Sequence, residues 1–266
     1  METTESLQRL NDRGWRMGLA NLMDQENGKW WKTRQSVVRA LTFTLLLCGL
    51  VAAALFGGHF INAPGGLERG LSLFAILEGI FPAIVITIIA MDALIGEKQS
   101  GTAAWVLSKP VSRVAVIVSK LTANALGALV TLVLVPSAFF YVIIAAITGQ
   151  LLAPLPFMAG TAVMFVNVLF YLSLTIFLGT LLNKRGPVIG IPLILALGYQ
   201  LVDGLAPWLA TVLPWGLIFP TAQAPSLVVA LFEGQAPVSW LPLACTLAWT
   251  TLFTGLAVRR YGRQEF

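Results

Sequence analysis

The sequence predicts an all-α integral membrane protein. It would have six transmembrane helices, an N-terminal amphipathic helix, a short transverse helix between spans two and three, and short extracellular interfacial helices between spans five and six. Three observations carry this expectation. Of the 266 residues, 57% are hydrophobic and only 11% are charged, whereas a soluble domain devotes about a quarter of its residues to charge to cover its surface. The mean hydropathy is +0.83. The apolar residues also gather into runs near the ~20 residues needed to cross a bilayer, so length counts spans rather than soluble domains.

Residues 1–38 form the entry segment. Leu7, Leu10, Leu19, Leu22 and Met23 recur at roughly helical spacing, with Glu5, Arg9, Asp12, Arg13 and Arg16 between them, the pattern of a helix lying on a membrane surface. Asn27-Gly28 is expected to break it. Trp30-Trp31-Lys32-Thr33-Arg34 follows, and indoles beside cations suit the headgroup layer. The first apolar run lacks a small-residue cleavage site, so no signal peptide is read here.

The transmembrane domain is assigned to residues 39–258 and the tail to 259–266. Span one (40–57) carries no charge and ends at Gly57-Gly58-His59. Span two (71–95) holds Glu78, Pro82 and Asp92. An apolar run from Val114 to Ile147, interrupted only by Lys120, is longer than a crossing requires. Span three is therefore placed at 121–147, with a kink at Pro136. Span four (157–182) stops at Asn183-Lys184-Arg185-Gly186-Pro187. Span five (187–203) is irregular, with Gly190, Pro192 and Gly198 inside it and Asp203 near its end. Residues 204–236 are apolar but broken by Pro207, Pro214, Pro220 and Pro225, which fits short interfacial or re-entrant helices. Span six (237–258) precedes Arg259-Arg260-Tyr261-Gly262-Arg263.

Charge placement orients the spans. With both termini in the cytoplasm, sixteen of the seventeen Lys and Arg residues fall inside and only Arg69 falls outside, a strong positive-inside asymmetry. A seventh crossing within 204–236 would put Arg259 and Arg260 outside. The excess of five positive charges thus records topology in a plasma (inner) membrane and not nucleic-acid binding.

Enzyme chemistry finds no footing. There is no Gly-rich phosphate loop ending in Gly-Lys-Ser/Thr, no His-Glu-x-x-His and no Gly-x-Ser-x-Gly elbow. The single histidine, His59, lies in an outer loop. Cys48 and Cys245 sit in apolar runs with no metal-ligand spacing, so a packing role is expected.

The longest polar segment between two apolar runs is Gly96 to Arg113. Gly101 permits a tight turn and Thr102 can cap a short helix through Trp105, Val106 and Leu107. Lys109-Pro110 closes that helix, and Pro110 or Ser112 restarts the chain. Such an element, apolar on one side and flanked by Glu97, Lys98, Lys109 and Arg113, can dock in a partner's groove.

Glu97-Lys98-Gln99-Ser100-Gly101-Thr102, followed by Leu107-Ser108-Lys109-Pro110-Val111-Ser112-Arg113 and Lys120, resembles the cytoplasmic loop of the type-2 ATP-binding-cassette (ABC) exporter permeases. There a Glu-x-x-x-Gly-Thr segment leads to Ser-x-Pro-[Val/Ile]-x-Arg and a later Lys. The entry segment with Glu26, Trp30, Trp31 and Arg34 is similar to the family's elbow. Leu178-Gly179-Thr180 to Arg185, and Arg259-Arg260 to Phe266, are similar too. The resemblance implies a permease that works with a second permease, alike or different, and two separate ATP-hydrolysing subunits. ATP and magnesium would sit on those subunits, leaving no cofactor, no catalytic residue and no metal on this chain. It further implies that Glu97, Gly101, Thr102, Trp105, Leu107, Lys109, Pro110 and Arg113 form the coupling helix and its flanks.

Within the membrane, Glu78 and Asp92 are fourteen positions apart, about 40° from eclipsed on a helix, so they share a face. Pro82 cannot donate to the carbonyl of residue 78. Intramembrane carboxylates mark interior functional sites by default; the alternative is that Glu78 snorkels to the interface or is protonated. Asp92 is expected at the inner boundary, paired with a basic neighbour. Asn167 and Tyr171, four apart, could line a path, with interhelical hydrogen bonding the plainer role. A different class of function, an ion-coupled secondary transporter or channel, would lean on Glu78; a membrane-embedded enzyme would need polar pairs that are not visible.

Overall fold

A computed structural model describes residues 14–32, 34–60, 65–102, 108–199, 206, 208–220 and 225–263. No strand occurs among them. Five helices are long and apolar enough to cross a membrane: Val37–Gly57, Gly66–Gln99, Arg113–Thr148, Pro154–Leu181 and Leu241–Tyr261. We name the elements α1 (Leu19–Trp31), α2 (Arg34–Phe60), α3 (Gly66–Gln99), α4 (Arg113–Thr148), α5 (Pro154–Leu181), α6 (Arg185–Leu197), α7 (Trp208–Val212), α8 (Trp215–Ile218), α9 (Leu227–Phe232) and α10 (Leu241–Tyr261).

The fifth expected span appears as α6, only 13 residues, or ~20 Å at 1.5 Å per residue. That is short of a ~30 Å hydrocarbon core. Its continuation through 200–205, including Asp203, lies outside the described residues. Span six starts four residues later than expected, at Leu241, and runs on to Tyr261. Val238 and Trp240 ahead of it are exposed.

The long apolar run after Arg113 is one helix throughout. Its irregularity is a wide π-turn at Leu129–Leu134, where Val135 N–H reaches back five residues to Val130 O. Pro136, next in line, cannot donate, and a wider turn accommodates the missing bond. A second π-turn, Asp92–Gly96, lies near the end of α3.

α5 is the most buried of the five long helices and forms the hub, packed against α3, α9 and α10. Small residues let neighbours close on it and on α3. Phe232 of α9 lies against Gly160, and Ile218 of α8 lies against Gly79. Gly79 is thirteen residues into α3, so the short helices between α6 and α10 dip into the bundle. Their rings complete an aromatic stack in which Phe74 meets Phe140 at 3.9 Å and Phe157 meets Phe232 at 4.7 Å.

The entry helix differs from expectation. It does not break at Asn27-Gly28 but continues to Trp31. A helical glycine costs about 1 kcal/mol relative to alanine. The burial of Trp30 just beyond it, with an indole hydrogen bond to α4, outweighs that cost. The helix is opened instead by Gly18 at φ 74°, which sits so close to Val111 that any side chain there would collide. Residues 1–13, with the Leu7 and Leu10 stripe, lie outside the described residues.

A candidate coupling site at the charged end of the bundle

The ends of α1, α3, α4, α5, α6 and α10 meet at one end of the bundle, where nearly all the described charges lie. At its centre is Lys120, 2% exposed. Its ammonium stands 2.8 Å from Glu26 Oε1 and 2.7 Å from Glu97 Oε1. Lys29 closes the quartet, at 2.9 Å from Glu26 Oε2 and 3.2 Å from Glu97 Oε1. Two carboxylates and two ammoniums balance, so a buried cation is tolerated by full pairing. Burial pushes the Glu26 carboxyl up, but the charges and hydrogen bonds of Lys120 and Lys29 outweigh it and hold the group below 4.5. For Lys29 burial pulls down, and Glu26 and Glu97 together more than reverse it, to above 10.5.

The quartet has a packing partner four residues on. Trp30 Nε1 donates to Asn124 Oδ1 at 3.1 Å, and the indole lies over Gly127, where any side chain would strike the ring. Lys120, Asn124 and Gly127 are spaced i, i+4 and i+7 on α4, one helical stripe. They face Glu26 and Trp30, themselves four apart on α1. Trp31, by contrast, is half exposed, and Arg34 is exposed at the start of α2.

The end of α3 is bound to α5 and α6. Lys98 Nζ donates to Gly179 O at 2.8 Å, and Gln99 Nε2 to Asn183 O at 3.3 Å. Arg185 Nε donates to Gln99 Oε1 at 3.0 Å, and its Nη2 stands 3.7 Å from Asp92 Oδ1. Gly179 has no room for a side chain beside Leu94, which explains a glycine between Leu178 and Thr180. Beyond Gln99 the chain turns at Gly101, φ 74°, with Ser100 Oγ and Thr102 Oγ1 at 2.8 Å. Trp105 and Leu107 lie outside the described residues. Ser108, Lys109 and Pro110 are exposed, and Ser112 caps α4 by accepting from Ala115 N. Arg113 Nη1 donates to Gly262 O at 3.3 Å, tying the start of α4 to the end of α10.

The intramembrane candidates separate. Glu78 is fully buried, and neither carboxylate oxygen has a hydrogen-bond partner among the described residues. Asn167, also fully buried, donates from Nδ2 to Gly79 O at 2.8 Å while its Oδ1 is unpartnered. Tyr171 is buried one turn further along α5. Asp92 is exposed and lines a groove of about 920 Å³ with Glu26, Arg39, Glu97 and Arg185. Glu78 and Asp92 share a helical face but not an environment, because that face is packed inside the bundle at residue 78 and opens into the groove at residue 92.

Sequence reading missed Lys29, Asn124 and Gly127 as parts of one assembly. The signal was available: a lone Lys inside a 34-residue apolar run, followed at helical spacing by an amide and a glycine.

The family model for ABC-2 family transporter proteins matches residues 11–266. The chain belongs to that family. No curated protein matches it at a significant level. As an ABC-2 permease it is a membrane transport component with several membrane-spanning helices. Its match begins within the entry segment and runs through the last residue, so the elbow-like helix and the charged end belong to the family region.

Proposed function

We propose that this ABC-2 permease is the membrane half of an ATP-driven exporter. Two copies, or this chain and a paralogue, would enclose the substrate path, and two ATP-hydrolysing subunits would bind the charged end. That end would face the cytoplasm, as the sixteen-to-one distribution of basic residues favours. Both termini would then be cytoplasmic, and α6 with the residues after it would complete a sixth crossing of the inner membrane.

The observation that carries this reading is the connector between α3 and α4. It is exposed at Gln99, Ser100, Gly101, Thr102, Ser108, Lys109 and Pro110, yet anchored at both roots. Glu97 is held by Lys120 and Lys29, and Arg113 is held on Gly262. A push on the exposed part is therefore passed to α1, α3, α4 and α10 together, which suits rigid-body tilting of packed helices. The connector's Trp105 and Leu107 would be the apolar anchors in a groove of the ATPase, with Lys109 setting register. The chain carries no phosphate loop of its own, so nucleotide and magnesium belong to the partner. α1 would lie at the lipid surface, with Trp31 toward the headgroups.

The test is gentle extraction of the tagged protein from its native membrane. An ATP-binding subunit should co-purify in equal number, and Trp105→Glu should release it while the permease still inserts. Purification of the intact permease without any ATP-binding subunit overturns the reading.

A further inference from the structure

A second basic assembly lies at the charged end, apart from the quartet. Arg259, Arg260 and Arg263 line a groove of about 460 Å³ between the ends of α5 and α10, whose remaining lining is Phe177, Leu181 and Leu256. None of the three guanidiniums has an ion pair with an acidic group among the described residues. Arg260 repels the neighbouring Lys98 ammonium, also a cation. Leu256, Arg259 and Arg260 follow at i, i+3 and i+4 on α10, and Arg263 stands just past its last residue, Tyr261, so the groove passes from apolar to triply basic within about two turns. On α10 the apolar Leu256 lies toward the body of the helix and the arginines at and just past its end, while α5 contributes Phe177 and its last residue, Leu181.

We propose that this groove binds an anionic phospholipid, its phosphate held by the three arginines and the start of an acyl chain laid along Phe177, Leu181 and Leu256. The amphipathic order is the argument. A soluble phosphate has no use for the apolar floor, and an acidic protein helix would not need the groove to continue toward the bilayer. A lipid has its charge and its chain joined in the sequence the groove presents them. Arginine presents a planar fork that matches phosphate oxygens, and basic pockets between the cytoplasmic ends of membrane helices suit anionic headgroups. The inference rests on the orientation proposed above.

The experiment is native mass spectrometry of the complex purified from nanodiscs holding equal phosphatidylglycerol and phosphatidylcholine. The wild type should retain phosphatidylglycerol preferentially. Arg259→Gln/Arg260→Gln/Arg263→Gln should lose that preference by on the order of a hundredfold, the scale of removing three phosphate-facing cations. The triple Arg→Lys variant preserves the charges that orient α10, and it should insert normally and keep a weakened preference. Four outcomes overturn the proposal: no preference in the wild type, an undiminished preference in the Gln variant, displacement of the lipid by millimolar inorganic phosphate, or displacement by the ATPase subunit. The same spectra report whether the ATPase is bound, so a wild type that shows no lipid preference while carrying the ATPase sinks this inference alone.

Discussion

Lys120 and Glu97 face each other at 2.7 Å, joining the third apolar helix to the last turn of the second, with the ammonium buried and the carboxylate at the edge of the groove. Removing one member of such a pair leaves an uncompensated buried charge. Lys120→Met should destabilise the protein by about 3 kcal/mol, the low end of the range for a broken buried pair because Lys29 still faces both carboxylates. Thermal melting in detergent measures this. Adding Glu97→Gln and Glu26→Gln to Lys120→Met should recover much of the loss, and a purely additive result would show that the quartet is not a unit.

Gly127 is the seat of the Trp30 indole. Gly127→Ala should force the ring away and cost roughly 1–3 kcal/mol, the scale of overpacking a close contact. The same substitution in a Trp30→Ala background should be nearly neutral. Melting of the four proteins in the cycle reads the coupling directly, and equal costs in both backgrounds would refute the contact.

Glu78 presents two buried oxygens with no partner among the described residues. An unsatisfied buried polar group costs about 1–3 kcal/mol, so Glu78→Leu, similar in volume, should raise the melting temperature. If transport falls while stability rises, the carboxyl is kept for function at the expense of the fold. A lowered melting temperature would show that a donor reaches it.

The docking of α1 should depend on pH in a defined direction. Glu26 is held below 4.5 in the folded protein, so its contribution is full above 4.5 and fades as pH falls through the lower folded value. The melting difference between wild type and Glu26→Gln should shrink on acidification below 4.5. Lys29, held above 10.5, contributes fully below 10.5 and loses its contribution only as pH rises through its higher folded value. A difference that grows on acidification would contradict the assignment.

Much of the architecture was legible because membranes impose simple rules. Long apolar runs became α2, α3, α4, α5 and α10, and Gly101 and Ser112 took the turn and cap positions their chemistry favours. What was not legible depended on partners distant in sequence. Gly28 looked like a helix breaker because Trp30's seat on Gly127 lies almost a hundred residues away. Glu97 was read only as a flank of the short transverse helix, yet its carboxylate is engaged by Lys120 and Lys29. The fifth span was read from composition, but α6 ends at Leu197 after a helix too short to cross alone. Periodicity reports which face is apolar; it does not report which neighbour a buried charge will find.

The π-turn at Asp92–Gly96 has a consequence for the phase of α3. A wide turn holds one more residue than an α-turn, so every side chain after it is rotated by about 100° relative to an uninterrupted helix. Glu97 reaches Lys120, and Lys98 reaches Gly179, only in that shifted phase. Deleting one residue between Asp92 and Gly96 would leave the membrane body of α3 untouched and every side-chain type at its end unchanged. It would nonetheless turn Glu97 away from its cations. The contact between bundle and connector is therefore encoded in a residue count, and a frame-preserving deletion there should lower the melting temperature as much as losing the Glu97 charge itself.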